Sequence, residues 1–463
     1  MNFKKYVLPA AVALSVVILA GGPPLGLSLT PAVGLVILVL AGGLWVSEAL
    51  PLQVTGLLIP VAFVLAGILT AESAFQPFAD PVVFLILGSL FIAEALRKHG
   101  LTREIALLMV DKCAGRPRFI LLSIMIVGAL TSMWVFSTAV VAMLIPVCLS
   151  IASKVDEEFQ HQFIVVLMMG LVLSTTLGAL STVLGASSNA VASGVLSRVQ
   201  TWGFLDWMRY GSPLAGLLVL VAWVFLVLFF FPPVTRINVE ALYKETRADR
   251  DSRLHKNIIL YVLGAAIFFW ITTPVLENYF MIPEDFTHSA LVGLIAAGML
   301  FATGVISWKD ARQVNWGVYL IIGAGLALGT GLRASGVTEI LAQGITSGIA
   351  FLPFPVIIVL TILVSGLLSN VVNNTTVVAI LAPVLVDTAQ AMELVTPIQL
   401  VLPMAFGATF GFLLPSASSR MALIYATNEI STGEMLKIGS IVTVPLVLLT
   451  IGYFYLLITM GWL

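Results

Sequence analysis

The sequence predicts an all-α polytopic membrane protein built from two inverted-topology repeats, each with a re-entrant hairpin and a broken helix, and about eleven transmembrane spans in all. Composition is the first ground. Of 463 residues, 60% are hydrophobic and only 10% are charged, and the mean hydropathy is +1.09, whereas soluble domains carry about 25% charged residues. The second ground is a polar interruption that occurs twice. Phe136-Ser137-Thr138-Ala139-Val140-Val141-Ala142-Met143-Leu144-Ile145-Pro146-Val147 recurs as Asn373-Asn374-Thr375-Thr376-Val377-Val378-Ala379-Ile380-Leu381-Ala382-Pro383-Val384, each copy inside a long apolar stretch. Hydroxyls and amides in hydrocarbon must find partners, and groups freed at a helix break can together hold an ion or a polar solute.

Apolar runs cover residues 6–21, 30–48, 52–70, 81–96, 118–153, 162–195, 213–233, 257–276, 286–305, 316–333, 353–386, 398–426 and 436–460. Spanning about 30 Å of hydrocarbon takes roughly 20 helical residues. As one helix, the run 118–153 would measure about 54 Å, so it has to fold back, and a hairpin with Trp134 to Thr138 near its tip satisfies the length.

Charge placement orients the chain. Lys4 and Lys5 precede the first run, and the segment 236–256 carries Arg236, Lys244, Arg247, Arg250, Arg253 and Lys256 among four acidic residues. By the positive-inside rule both belong in the cytoplasm, which implies an inner (plasma) membrane location. The first run resembles a signal-peptide core, but it lacks a small-residue cleavage site and further spans follow it, so it is read as a span. The net charge of −1 gives no reason to expect a nucleic-acid partner. Cys113 and Cys148 offer no disulfide framework. His99, His161, His255 and His288 are scattered without ligand spacing, which argues against a structural transition-metal site, and no organic cofactor is expected.

Internal repetition extends beyond the polar interruptions. Leu90 to Thr102 aligns without gaps on Leu326 to Thr338, matching leucines, Arg97 with Arg333, Gly100 with Gly336, and the two threonines. After each hairpin comes an apolar run with a small polar break, Gly185-Ala186-Ser187-Ser188-Asn189 in the first half and Ser416-Ala417-Ser418-Ser419-Arg420 in the second, which sets Arg420 opposite Asn189. The boundary between the copies falls in the charged loop 236–256. An odd number of crossings in the first copy would insert the two in opposite senses, with their breaks meeting near the midplane.

At this point the residues resemble the divalent anion:sodium symporter family, carriers of di- and tricarboxylates or sulfate. The resemblance covers nearly the whole chain. Glu48-Ala49-Leu50-Pro51-Leu52-Gln53-Val54-Thr55 is similar to the family's early Glu-Ala-(Ile/Leu)-Pro signature, and Ser307-Trp308-Lys309-Asp310 followed by Trp316-Gly317-Val318 to its mid-chain signature. The two Ser-Asn-Thr hairpin tips of the family fall on Phe136-Ser137-Thr138 and Asn373-Asn374-Thr375. Its two Thr-Pro breaks fall on Ala186-Ser187 and, within one residue, on Ser418-Ser419.

Several expectations follow from the resemblance. It implies a homodimer held by scaffold parts (1–117 and 257–350), a cytoplasmic linker (236–256), and a mobile domain of hairpins and broken helices (118–235 and 351–463) that moves the site across the bilayer in an elevator-type cycle. It implies a sodium site around Ser132, Ser137 and Gly185 and another around Ser369, Asn374 and Ala417. In the second motif Asn374 and Thr375 are kept. In the first only Thr138 is kept, and Phe136 has no oxygen to give, which weakens the first site.

The anion itself is expected at Ser137, Thr138, Asn373, Asn374 and Thr375, with Ser187, Asn189 and Ser418 at the breaks, and at Arg420. A mid-membrane Arg costs about 2.5–3.5 kcal/mol on insertion scales, and a guanidinium fork pairs bidentately with a carboxylate, sulfate or sulfonate. The alternative is an Arg420 that snorkels to an interface or pairs with Glu429. Glu48 reads as a structural or helix-capping residue beside Pro51, and Glu94 as the local partner of Arg97 or Lys98 at helical spacing. Asp387 reads as water-facing. The nine tryptophans and the Phe-rich run 225–231 read as lipid-facing or interfacial belts, and Gly323, Gly325, Gly329 and Gly331 as close-packing positions.

Paired helix breaks in duplicated halves favour a transporter. An intramembrane enzyme would need a nucleophile with a base, paired aspartates or a His-Glu-x-x-His helix, and the sequence carries none. A passive anion channel shares the polar breaks and buried Arg, but paired hairpins that close the site from either side favour a carrier. The sequence therefore reads as secondary transport of a small divalent anion, by sodium symport or by exchange.

Overall fold

The structure, a computed structural model, describes residues 4–21, 28–237, 252–280, 288–349, 351–392 and 395–463. Every regular element in them is helical, as expected where no water satisfies backbone groups. Helices α1 (Lys4–Gly21) and α2 (Leu29–Ser47) pack together. The rest falls into two series. The first is α3 (Leu52–Leu65), α4 (Pro81–Lys98), the short α5 (Leu101–Asp111), a hairpin of α6 (Pro117–Trp134) and α7 (Ser137–Ala152), a broken helix of α8 (Glu157–Ala179) and α9 (Ser187–Leu196), and α10 (Phe204–Phe229). After α11 (Ser252–Phe280) the second follows in the same order: α12 (Ser289–Ala302), α13 (Trp316–Ala334), α14 (Val337–Ile349), the hairpin α15 (Phe354–Val371) and α16 (Asn374–Ala391), the broken helix α17 (Pro397–Gly407) and α18 (Ser419–Tyr425), and α19 (Thr432–Thr459). Most of the expected linker, including Lys244, Arg247 and Arg250, lies outside the described residues.

Packing repeats the duplication. Helix α3 lies on α13 while α12 lies on α4, and α9 lies on α16 while α18 lies on α7. Exchanging the two series turns each pair into the other, as a pseudo-two-fold relation requires. Among the described residues, nine helices are long and apolar enough to cross a membrane. Several crossing candidates, α3 and α12 among them, are shorter and apolar. Buried α8 forms the centre on which α6, α7 and α10 pack.

The glycines of α13 explain its close contacts on two sides. A Cβ on Gly331 would lie 2.3 Å from the ring of Phe63, and one on Gly329 would lie 2.8 Å from Pro383 of α16. Neither position has room for a side chain.

Charged residues at the helix ends are tied down locally. Arg97 donates to both carboxylate oxygens of Glu94, at 2.8 and 2.6 Å, the pairing expected from their spacing. Glu48 is the left-handed C-cap of α2, with φ of 52°, in line with a capping role. Asp387 departs from expectation: it meets Arg333 at 3.1 Å and its side chain is only 10% exposed, because α16 lies against α13 there. The tryptophans depart too. Trp45, Trp207 and Trp270 are buried, because each indole N–H reaches a backbone carbonyl: that of Leu52, Leu180 or Ser289 respectively. Trp308 and Trp462 are exposed. The run 225–231 divides, with Phe229 outward and Phe230 buried.

Candidate substrate and ion site

Each hairpin turns at a two-residue break. Val135 (φ −127°) and Phe136 (φ −52°) separate α6 from α7, and Val372 (φ −117°) and Asn373 (φ −55°) separate α15 from α16. The first arms end alike as well, since Ser132 and Ser369 are buried and each hydroxyl donates to the carbonyl three residues back. The caps differ. The Asn373 side chain accepts from the Thr375 N–H at 3.0 Å, whereas Phe136 caps α7 with no side-chain acceptor.

The broken helices unwind over 180–186 and 408–418, each with one short 3-10 turn, Val183–Gly185 and Pro415–Ala417. Ala186 and Ser418 then cap the second segments in the same extended conformation, with φ of −149° and −156°. This common cap corrects the alignment read from the sequence: Arg420 stands opposite Ser188, and Asn189 stands opposite Met421. Asn189 is buried as a clasp of its own break. Its amide donates to the carbonyls of Ala179 and Thr182 at 2.7 and 2.8 Å.

Tips and breaks meet across the repeats. Arg420 Nη1 donates to Ser137 Oγ at 2.5 Å, and the Ser187 and Thr375 hydroxyls lie 2.5 Å apart. The second broken helix thus touches the first hairpin, and the first broken helix touches the second. Ser418 belongs to the same end of α18, where its hydroxyl accepts from the Met421 N–H at 3.3 Å. Thr138 is half-buried one residue beyond Ser137.

Arg420 is 6% exposed. Among the described residues it forms no ion pair, with Glu429 or any other acid, and its Nε has no hydrogen-bond partner. A snorkelling side chain would be exposed. An unpaired buried guanidinium is costly, and a bound anion with planar two-oxygen groups is the chemistry that would satisfy it.

A second cluster brings two oxygens together. A Cβ on Gly411 would lie 2.8 Å from the Ser369 carbonyl, 3.1 Å from Asn374 Oδ1 and 3.3 Å from the Ala417 side chain, so these three residues converge on one glycine. Asn374 Oδ1 is buried without a donor among the described residues. A buried acceptor without a donor, set beside a main-chain carbonyl, suits a hard cation, and Ser369 and Asn374 fit sodium, with Ala417 alongside. The equivalent cluster of the first repeat fits it poorly. There Ser137 stands in place of Asn374, and its hydroxyl is engaged by Arg420.

Sequence reasoning missed three features. Asn370 clasps the second break, donating to the carbonyls of Gly366 and Phe410 and accepting from the Leu413 N–H at 3.0 Å. The signal for it was a lone Asn where the first repeat has Met133. Trp134 at the first tip stacks on Trp270 of α11, which in turn stacks on Phe204. Finally, Arg198 after α9 pairs with Asp80 ahead of α4 at 3.1 Å and donates to Thr330 of α13. Arg198 and Arg333, the latter paired with Asp387, line a cavity of about 380 Å³ between α9, α13 and α16.

The comparisons with known proteins agree with this architecture. The family model for citrate transporters, CitMHS, matches residues 43–401. An uncharacterized transporter of Haemophilus influenzae is 29% identical over 427 residues, 91% of either chain. The sodium-dependent high-affinity dicarboxylate transporter 3 of Caenorhabditis elegans is 26% identical across 88% of this chain and 80% of its own. The sodium-dependent dicarboxylate transporter SdcS of Staphylococcus saprophyticus is 24% identical across 85% and 80%. The YdaH transporter of Alcanivorax borkumensis shares the fold at a TM-score of 0.54 and 13% identity, over 84% of this chain and 87% of that one. Relatives named as dicarboxylate transporters uphold the resemblance read from the motifs, and none of these names an enzyme. With the match running through both hairpins and into the second broken helix, the chain belongs to the citrate transporter (CitMHS) family and is a multi-pass membrane transporter.

Proposed function

We propose that this protein is a secondary carrier for a small anion with two acidic groups, of the dicarboxylate kind, coupled to sodium and working by an elevator movement. One observation carries the reading: Arg420 is buried at the junction of a hairpin tip and a broken helix, with no acidic partner among the described residues. Ser137, Thr138, Ser187, Asn373, Thr375 and Ser418, at the tips and breaks, would supply hydroxyls and amides to the anion, and the N-termini of α7, α9 and α16 add partial positive charge. Ser369, Asn374 and Ala417 would hold a sodium ion, whose charge favours binding of the anion. The names of the curated relatives support a carboxylate substrate and sodium dependence.

With each hairpin entering and leaving by one face and each broken helix crossing once, α2, α3, α4, α8/α9 and α10 make five crossings. The corresponding α11, α12, α13, α17/α18 and α19 make five more, and α1 makes the eleventh. Five is odd, so the copies insert in opposite senses. In this reading residues 1–117 and 257–350 form a scaffold that holds a homodimer, and 118–235 and 351–463 form the moving part. Smooth packing of Gly325 and Gly329 against Val191, Ala379 and Pro383 at that boundary supports sliding.

The test is counterflow in proteoliposomes loaded with unlabelled succinate. Saturable entry of labelled succinate, inhibited by other dicarboxylates and by little else, supports the reading, whereas equal inhibition by monocarboxylates would contradict it.

A further inference from the structure

We infer that Arg420 takes the place of the first sodium ion as a fixed charge, so that this chain couples transport to a single sodium ion at the second hairpin tip. The inference rests on the carrier reading above. It comes from the contrast between two sites that the pseudo-two-fold relation makes equivalent.

At the second tip, Asn374 Oδ1 is buried without a donor among the described residues and faces Gly411 beside the Ser369 carbonyl. The first tip has lost these features one by one. Phe136 stands where Asn373 stands and offers no side-chain oxygen. Ser137 replaces Asn374, and its only side-chain oxygen is 2.5 Å from a guanidinium nitrogen. A sodium ion on that oxygen would face a like charge at close range, where low dielectric strengthens the repulsion. The residue opposite Arg420 in the other repeat is Ser188, whose neutral hydroxyl brings no charge to the second tip. One site therefore has a cation built into the chain, and the other has a buried acceptor oxygen left for one.

Charge accounting gives a consequence. With a dianion and one sodium ion bound, Arg420 completes a neutral site, while the empty carrier returns with the positive charge of Arg420. Each net cycle thus moves one negative charge with the substrate. Exchange of anion for anion never returns the empty carrier and moves none.

The experiment uses the purified full-length protein in two formats. In proteoliposomes, labelled sodium and labelled succinate are followed together at a pH where both carboxyls are ionised, with the membrane potential clamped by potassium and valinomycin. We expect one sodium per succinate and a sodium dependence with a Hill coefficient near one. Steady-state accumulation should fall about tenfold for each ~59 mV of inside-negative potential, while exchange should not respond. In detergent, labelled sodium alone should bind at one equivalent, be lost in Asn374→Ala, and rise to two in the triple variant Phe136→Ser, Ser137→Asn, Arg420→Ser. Two or more sodium ions per succinate, or two equivalents bound to the wild type, would overturn the inference and leave the carrier reading standing. The wild-type counts decide the matter even if the triple variant does not fold. Absence of saturable succinate flux would overturn both.

Discussion

Arg420 Nη1 lies 2.5 Å from Ser137 Oγ, joining the second broken helix to the first hairpin tip across 283 residues of chain. The bond fixes one arm of the guanidinium fork. Nε, with no partner among the described residues, remains available to a ligand.

If that fork meets the substrate, Arg420→Gln should lose most of the affinity. Removing one partner of a desolvated charge pair costs about 2–5 kcal/mol, enough to move micromolar binding toward millimolar. Arg420→Lys should recover only part, since Lys keeps the charge but not the planar fork. Titration of purified variants with succinate measures both, and unchanged affinity in Arg420→Gln would remove Arg420 from the site.

Asn374→Ala should nearly abolish uptake while the protein stays folded. Its Oδ1 has no donor among the described residues, so removing it relieves an unsatisfied acceptor instead of breaking a bond, and the stability change should stay below about 1 kcal/mol. Gel filtration and thermal melting report the fold, and uptake reports the site. Wild-type uptake by the variant would refute the assignment.

The pairs Arg198–Asp80 and Arg333–Asp387 each cross from the proposed moving part to the scaffold. Partly exposed pairs contribute about 0.2–1 kcal/mol each, so Arg333→Gln should shift the balance of states only a few-fold, with the swap Arg333→Asp/Asp387→Arg restoring it. A cross-link is harsher. Cysteines at 333 and 387, in a background with Cys113 and Cys148 changed to Ser, should stop uptake on oxidation and release it on reduction. Full uptake by the cross-linked protein would rule out movement along this boundary.

At the mouth of α13, Asp310 holds a carboxyl lowered to about 2, first by the hydrogen bond from Lys98 and then by the N–H and hydroxyl of Ser307. The folded value lies below the unfolded one, about 3.9, so the pair stabilises fully above that pH and its contribution fades as pH falls toward 2. Thermal melts of wild type and Asp310→Asn should converge between about pH 4 and pH 2. A difference that stays constant across that range would contradict the linkage.

Much of this was legible because membrane helices announce themselves by length and composition, and because duplicated chemistry leaves duplicated sequence. The two hairpins, the breaks and the place of Arg420 fall where the polar interruptions put them. The one-residue register of Arg420 against Ser188 was not legible, since only the extended caps at Ala186 and Ser418 fix it. Nor were the buried roles of Trp207 and Trp270, whose partners are main-chain carbonyls distant in sequence and invisible to composition. Asp387 was misread for the same reason: its partner Arg333 is brought to it only by helix packing.

The most direct test of the central claim is uptake of labelled succinate into proteoliposomes with and without an inward sodium gradient. The expected result is accumulation above the external concentration only with the gradient, collapsing when a sodium ionophore is added. Equilibration at the same rate with or without sodium, without saturation and without internal anion, would contradict it and identify a passive pore.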